Sequence, residues 1–208
     1  MTSSKNVQKK SITVLIPQGL VPASIFNTVN ELVDKYGLQV YLSTAQNLRI
    51  LNFKDEEEEL IKTALLNVGA EFKGPGKFPL PKVCVGKGYC KLGLIDTFDL
   101  SKKITEKFGS RTNVKPKFKI AVSGCPASCS NVHSTDIGVK ATRSGYEVYV
   151  GGKGGALPKN GRRIAKGADE ALVIEIIEKV VDFHDKNTPK KLRISKLIDA
   201  AEFPYPEV

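Results

Sequence analysis

The sequence has little of what marks membrane and secreted proteins. No apolar run among its 208 residues approaches the ~20 residues that a membrane-spanning helix requires. The apolar stretch from Ile12 to Ile16 is too short to form the core of a secretory signal. These absences predict a cytoplasmic protein that has no membrane partner.

Tryptophan is absent, and histidine occurs only twice. His133 and His184 are far apart in the sequence, and a lone histidine is a weak indication of a metal site. His184 falls late in a predicted helix, where a charged imidazolium would suit the helix dipole. Neither histidine is therefore predicted to bind a metal or to act in catalysis.

Acidic residues are outnumbered, since 32 Lys and Arg stand against 22 Asp and Glu and give a net charge of +10. Such a surplus favours an anionic partner, which would be a nucleic acid, an acidic protein or a polyanionic small molecule. The basic residues are scattered and no nucleic-acid-binding motif accompanies them. We therefore expect no nucleic-acid partner.

The apolar pattern predicts an α/β (α+β) fold with two consecutive subdomains. Residues 1–10 are polar and are expected to be disordered. Residues 11–72 follow the order β-α-β-β-α, which indicates a small ferredoxin-like unit. A Pro- and Gly-rich segment at 73–82 begins the second subdomain, which extends over 73–208.

The second subdomain is predicted to hold two cysteine loops among helices and strands. Its predicted elements are a helix at 92–108, a strand at 117–124, a hairpin around Thr142–Gly145, a glycine-rich basic loop at 151–163, and a helix built on Leu172, Ile176, Val180 and Phe183. A short helical pattern follows residue 189.

All four cysteines lie in two short loops, as Cys84-x5-Cys90 and Cys125-x3-Cys129. In the cytoplasm, clustered cysteines are more often metal ligands or redox groups than disulfides. Four thiolates suit tetrahedral zinc or an iron–sulfur cluster. Structural zinc sites usually pair cysteines two to four residues apart, so the five-residue gap favours a 4Fe–4S cluster. Zinc, disulfides and unliganded thiols remain the alternatives.

Small residues flank these cysteines and would let backbone N–H groups approach a cluster closely. Gly86, Gly88 and Gly124 are examples. Pro126 is expected to begin a helical turn that presents Cys125 and Cys129 on one side.

The motif C-x5-C followed by S-G-C-P-x-x-C resembles the signature of the siroheme-containing nitrite and sulfite reductases. The stretches "YLSTAQNLRILNF", "KPKFKIAVSGCP" and "YEVYVGGKGG" are also similar to segments of that family. The resemblance implies a ferredoxin-like half-domain at 11–72 and a 4Fe–4S and siroheme-binding domain at 73–208. It also implies cluster ligation by Cys84, Cys90, Cys125 and Cys129, with Cys129 shared with the siroheme iron.

Siroheme carries many carboxylates, so the resemblance gives the positive charge a use in charge-assisted hydrogen bonds. The candidate siroheme-binding residues are Thr44, Gln46, Asn47, Arg49, Lys87, Gly151, Gly152, Lys153, Arg162 and Arg163, with Gly154 and Gly155 as further backbone donors. Simple surface charge, or turn hydrogen bonds for Thr44, Gln46 and Asn47, is the alternative for each.

Lys117 and Lys119 flank Phe118, so on a strand both lysines would point to one face and Phe118 to the other. The resemblance implies that the two lysines face a bound anion, neutralise its charge and supply protons, which would make them catalytic. The alternative is a solvated strand face.

The chain departs from the family in having one of its two halves. The family motif T-x-R-Q appears here as Thr44-Ala45-Gln46, without the arginine that reaches substrate. In this respect the chain resembles the compact, small assimilatory-type sulfite reductases, and a homodimer would restore the missing symmetry.

The predicted function is reduction of sulfite or nitrite with electrons from an acidic donor such as ferredoxin. The alternatives are a cofactor-binding or electron-transfer protein without turnover, and a zinc-stabilised nucleic-acid binder.

Overall fold

The computed structural model describes residues 10–112, 114–115, 117–188 and 192–208. The expected disorder of residues 1–10 falls outside this range except at Lys10, which forms ion pairs with Asp55 (2.9 Å) and Glu58 (3.4 Å). The chain divides into two compact units between Lys73 and Gly74. None of the helices in the described ranges is long and apolar enough to cross a membrane.

The first unit is a four-stranded antiparallel sheet with two helices. Its elements are β1 (Ile12–Leu15), α1 (Ala23–Tyr36), β2 (Gln39–Leu42), β3 (Leu48–Leu51), α2 (Glu58–Asn67) and β4 (Glu71–Phe72). The strand order is β2-β3-β1-β4, and every pairing is antiparallel. The predicted ferredoxin-like order is present, with the short β4 added at its end.

Helix α1 shows how the sequence specifies this unit. Ile25, Val29 and Leu32 recur at helical spacing and are buried against the sheet residues of the same core. The helix ends where Gly37 adopts a left-handed conformation (φ 63°) and its N–H donates to the carbonyl oxygen of Val33 (2.9 Å). Glycine has no Cβ to oppose this conformation, so it ends the helix at little cost.

The second unit contains a five-stranded mixed sheet with three helices among its described residues. Its elements are β5 (Lys82–Val83), α3 (Gly86–Tyr89), α4 (Thr97–Phe108), β6 (Ile120–Ser123), β7 (Ile137–Thr142), β8 (Gly145–Val150), β9 (Arg162–Ala168) and α5 (Glu170–Asn187). The strand order is β5-β6-β7-β8-β9. Strands β5, β6 and β7 run parallel, whereas β7, β8 and β9 pair antiparallel.

The two faces of this sheet have different roles. Ile137 and Val139 of β7 belong to the main core, together with buried residues of α4 and α5. Ala121, Val132 and Tyr149 form a separate small cluster. Successive strand residues point to opposite faces, so this second cluster lies on the other side of the sheet. Val132 belongs to the connection between β6 and β7, which carries Cys125 and Cys129.

Gly138 in β7 allows this connection to lie close to the sheet. A Cβ atom at Gly138 would lie 2.0 Å from the carbonyl oxygen of Val132, which is far inside van der Waals contact. Any side chain there would therefore push the β6–β7 connection, and the cysteines on it, away from the strands.

Two predicted boundaries in the second unit are wrong. The helix predicted from residue 92 begins at Thr97, because the Asp96 carboxylate accepts the N–H groups of Phe98 (2.9 Å) and Asp99 (3.1 Å) as an N-cap. The strand predicted at 117–124 begins only at Ile120, because Lys117 has a left-handed backbone (φ 69°) that a strand cannot contain.

The predicted glycine-rich loop also ends early. Arg162 and Arg163 belong to β9, which pairs with β8 through irregular register between Tyr146 and Tyr149. The helical pattern expected in the tail is a single 3-10 turn at Ile194–Lys196.

The environment of His184 in α5 disfavours the charged imidazolium that would suit the end of this helix. Its ring is buried and stacks on Phe118 at 5.5 Å, and its Nε2 lies 2.9 Å from the carbonyl oxygen of Leu192. Burial lowers the pKa of His184 from its usual 6.5, and the hydrogen bond to Leu192 opposes this only in part. The unfolded chain therefore binds the proton more readily than the folded protein in this pH range.

We expect the contribution of His184 to stability to fall as the pH falls below 6.5, because at this side chain the unfolded state gains a proton that the folded state resists. His184→Phe keeps the ring on Phe118 but cannot titrate, so its stability curve should fall less steeply over the same range. Thermal unfolding midpoints of both holoproteins between about pH 7.5 and pH 5 measure the difference. Parallel curves would contradict the assignment.

Candidate functional site

The first cysteine loop is a single helical turn that follows β5. The Cys84 N–H donates to the carbonyl oxygen of Val122 (3.4 Å), and the Thr97 hydroxyl donates to the carbonyl oxygen of Cys84 (2.5 Å). Gly86 enters the turn with a left-handed backbone (φ 62°), and the Cys90 N–H donates to its carbonyl oxygen (2.9 Å). Cys84 and Cys90 therefore stand on either side of α3.

The second cysteine loop is a series of tight turns, not the helical turn predicted at Pro126. Ser128 has a left-handed backbone (φ 57°), and its N–H donates to the carbonyl oxygen of Cys125 (3.3 Å). The hydroxyl groups of Ser123 and Ser130 lie 2.5 Å apart in the interior and close the base of the loop. This closure holds Cys125 and Cys129 at the end of β6.

The structure brings the two cysteine loops into contact through glycines. The Leu94 N–H donates to the carbonyl oxygen of Gly124 (2.7 Å). A Cβ atom on Gly124 would lie 3.1 Å from Cα of Gly86 and 3.6 Å from Cys84 Sγ. The Gly124 N–H also donates to Cys84 Sγ (3.2 Å). Such an N–H group stabilises a thiolate or the sulfur of a cluster.

All four cysteines are free thiols, so the disulfide alternative is wrong. Cys125 is buried, Cys84 and Cys90 are half-buried, and Cys129 is exposed. Zinc would need its ligands within about 2.3 Å of one point. Among the residues that the structure describes, no three His, Cys, Asp or Glu side chains are grouped closely enough for a single ion. The free thiols and the N–H donor fit an iron–sulfur cluster better.

Lys117 and Lys119 lie at the end of β6 opposite to Cys125. Both side chains are exposed, whereas Phe118 is buried between Phe78 and His184 with ring centroids at 6.3 and 5.5 Å. The predicted alternation of exposure is present, but it arises from a turn at Lys117 and not from a strand. The Lys119 N–H donates to the Asp136 carboxylate (3.1 Å).

Lys82 increases the positive charge beside Lys119, although no sequence motif singles it out. It is half-buried in β5, opposite Ala121 of β6. Burial lowers the pKa of Lys82, and the neighbouring charge of Lys119 lowers it further. These two lysines therefore create a local excess of positive charge.

The candidate arginines of the second unit are engaged by the C-terminal tail. Arg162 forms an ion pair with Asp199 and donates to the carbonyl oxygen of Ile198 (3.0 Å). Arg163 donates to the carbonyl oxygen of Val208 (2.9 Å) and lies 3.3 Å from Glu147. A siroheme carboxylate would have to compete with these partners.

The glycine-rich loop offers fewer free N–H groups than predicted. The Gly151 N–H donates to the carbonyl oxygen of Asp136 (2.9 Å), and the Lys153 N–H donates to that of Lys159 (2.8 Å). Gly152 is buried against the carbonyl oxygen of His133, which leaves no room for a side chain. Gly154 and Gly155 are exposed, with open space around each of them. Lys87 is exposed as well, but its N–H donates to the carbonyl oxygen of Ile95 (2.7 Å).

The candidates of the first unit lie in and beside the turn between β2 and β3. Asn47 is buried and accepts the N–H of Ile16, which follows β1, on Oδ1 (3.0 Å), while its own N–H donates to the Ser43 hydroxyl within the turn (3.1 Å). Gln46 adopts a left-handed backbone (φ 62°), and Thr44 is exposed. Arg49 donates to the Ser11 hydroxyl (2.5 Å), while its Nε is buried without a hydrogen-bond partner.

A family model for the nitrite and sulphite reductase 4Fe-4S domain matches residues 80–203. The chain belongs to this family. The matched range contains both cysteine loops, the two candidate lysines and the whole five-stranded sheet. Membership confirms the family expected from the cysteine motifs, and it supports an oxidoreductase with a 4Fe–4S cluster.

Similar proteins include both nitrite and sulfite reductases. A "Nitrite reductase [NAD(P)H]" of Emericella nidulans is 27% identical over 200 residues, which cover 94% of this chain and 18% of the relative. A "Sulfite reductase, assimilatory-type" of Nitratidesulfovibrio vulgaris is 27% identical over 199 residues, covering 93% of this chain and 90% of the relative. The chain thus spans under a fifth of the first relative.

The structure of the NirA protein of Mycobacterium tuberculosis superposes with a TM-score of 0.75 at 22% identity, over 94% of this chain and 39% of NirA. At this identity the likeness shows the fold alone. It confirms the predicted α/β (α+β) class.

Proposed function

We propose that the protein is a siroheme- and 4Fe–4S-dependent oxidoreductase that reduces sulfite or nitrite with electrons from a low-potential donor. The observation that carries the proposal is the contact between the two cysteine loops at Gly86 and Gly124. This contact joins segments about 40 residues apart, brings the Gly124 N–H to Cys84 Sγ (3.2 Å), and lies between two loops whose four cysteines are free. The family to which the chain belongs supports the cluster.

In this proposal Cys84, Cys90, Cys125 and Cys129 bind the cluster, and Cys129 also binds the siroheme iron. The exposure of Cys129 supports the second role, because a shared ligand must be reachable from outside the loop. When bound, the two cofactors supply the single electrons that break S–O or N–O bonds. The protein's own part is to hold the thiolates and donate N–H groups to them.

Lys117 and Lys119 are proposed to bind the substrate anion and to donate protons to it. Their ammonium groups are exposed, and neither forms an ion pair within the described residues. Because Lys119 forms no ion pair there and lies near the half-buried Lys82, the local positive charge favours an anionic ligand. Arg49 is proposed to bind a siroheme carboxylate, because its Nε has no hydrogen-bond partner.

The proposal includes the partners and the location expected from the sequence. The net charge of +10 suits an acidic electron donor such as ferredoxin. A homodimer is also proposed, because two copies would bring two such halves together about a twofold axis. The cytoplasm is the proposed location, since thiols stay reduced there.

A cofactor-binding protein without turnover is the second candidate. Thr44-Ala45-Gln46 lacks the arginine of the family motif, and Arg162 and Arg163 are held by the C-terminal tail. These two arginines are therefore not free to surround a substrate.

Anaerobic purification followed by one spectrum and one assay tests the proposal. We expect about five irons for every four sulfides, because the siroheme iron adds to those of the 4Fe–4S cluster. We also expect siroheme absorption bands, a dimeric mass in solution, and oxidation of reduced methyl viologen that depends on sulfite or nitrite. Siroheme bands without such oxidation would favour the second candidate. Zinc without iron or sulfide would overturn both.

A further inference from the structure

Asp136, which precedes β7, is a buried carboxylate that joins three separate segments. It is 1% exposed, and its Oδ2 accepts the Lys119 N–H (3.1 Å). Arg193 donates to both of its oxygens, from Nε at 2.9 Å and from Nη2 at 2.8 Å. The carbonyl oxygen of Asp136 accepts the Gly151 N–H (2.9 Å). The segment with Lys119, the glycine-rich loop at Gly151 and the C-terminal tail at Arg193 therefore meet at Asp136.

This arrangement holds the backbone of Lys119 at both its N–H group and its carbonyl oxygen. Its N–H is held by the Asp136 carboxylate, and its carbonyl oxygen accepts the N–H of Ile137 (3.1 Å). Lys117, two residues earlier, has a left-handed backbone and lies before the strand. The backbone direction at Lys119 is therefore set by Asp136 and Ile137, which sit together at the start of β7.

The carboxylate is costly to bury. Burial raises the pKa of Asp136 to about 6, although the charge and hydrogen bonds of Arg193 act in the opposite direction. A buried ion pair adds little stability compared with apolar residues of similar size, and one attested use is to specify a single arrangement. The arrangement specified here includes the segment that carries Lys117 and Lys119.

We propose that Asp136 and Arg193 are positioning residues, which act through the Lys119 backbone to aim its ammonium group at the substrate anion. The inference rests on the proposed function, because it takes Lys119 as a substrate-binding group. Neither Asp136 nor Arg193 is expected to touch substrate, since Asp136 is buried and its oxygens are occupied by Lys119 and Arg193.

Asp136→Asn in the full-chain holoprotein tests the inference. The amide keeps an oxygen for the Lys119 N–H but loses the charge that orients Arg193. We expect unchanged iron and siroheme content and a KM for sulfite or nitrite raised at least about tenfold. The loss in kcat should be smaller, because Lys117 can still donate protons. Amide hydrogen exchange should quicken at 117–120 and 150–153, because both segments lose part of their anchor.

Arg193→Lys is the second variant, which keeps the charge but not the two-point contact, and it should fall between wild type and Asp136→Asn in KM. Asp182→Asn is the matched control, because it removes an exposed pair with Arg111 (2.6 Å) that contacts none of these segments. We expect its KM and exchange to equal those of wild type.

Different outcomes overturn different conclusions. An unchanged KM in an active Asp136→Asn or Arg193→Lys protein overturns the positioning role and leaves the proposed function intact. Unchanged exchange at 117–120 does the same. A wild-type holoprotein that reduces neither anion overturns the proposed function, and the inference falls with it.

Discussion

Replacing Cys129 by serine is expected to remove siroheme from the purified protein and to damage the cluster. A hydroxyl group is a poor ligand for the soft iron site that a thiolate binds. Loss of a shared ligand should therefore lower the siroheme content at least about tenfold, as judged by absorbance and by iron and sulfide counts. Because Cys129 is exposed, the stability of the metal-free chain should change by less than about 0.5 kcal/mol.

Ala127→Ser is the matched control for this change. Ala127 is exposed in the same loop, and its replacement adds a hydroxyl group without removing a thiol. Its spectrum and iron content should equal those of wild type. If Cys129→Ser kept the wild-type siroheme bands, Cys129 would not be the proximal ligand, and one of the other cysteines or a residue from elsewhere would have to take that role.

The parts of the fold that could be predicted are those with strong periodicity. Helices α1 and α5 carry apolar residues on one side over more than three turns, and each is followed or preceded by a capping residue. The hairpin of β7 and β8 could also be predicted, because its two strands flank a turn that ends in Gly145. In these elements the local signal agrees with the packing, so tertiary contacts do not override it.

The strands that escaped prediction have too little local signal. Strands β4 and β5 are two residues each, shorter than any window in which alternation can be recognised. Strand β9 begins with two arginines and contains Gly167, so its composition is typical of a loop. It is a strand because β8 offers an edge for pairing, which is a property of the folded chain.

The candidate site divides in the same way. The four cysteines could be selected from the sequence, because each pair lies within a short motif. The spacing of these motifs resembles that of a known family. The contact of Gly124 with Gly86, and the pairing of Asp136 with Arg193, join residues 38 and 57 positions apart. No single sequence reveals such long-range pairs. The left-handed backbone at Lys117 had no signal either, because lysine rarely adopts it.

Changing Lys117 and Lys119 together to methionine is expected to lower kcat/KM for sulfite or nitrite at least about a hundredfold. Methionine keeps the length of the side chain but removes the charge that neutralises the anion and the protons that bond cleavage consumes. Both side chains are exposed and Phe118 between them is unchanged, so folding and cofactor content should be preserved. Methyl viologen oxidation, with the siroheme spectrum beside it, measures both quantities.

Lys102→Met is the control for loss of charge as such, since Lys102 is exposed on α4 and its nearest acidic group is Glu106 at 3.8 Å. It should leave kcat/KM unchanged. The uncharged substrate hydroxylamine gives a second comparison, because removing ammonium groups should weaken its reduction less than that of the anions. If the double variant reduced sulfite and nitrite as fast as wild type, both lysines would be ordinary surface cations. The anion would then have to be held by other groups, of which Lys82 is a candidate because its charge interacts with that of Lys119.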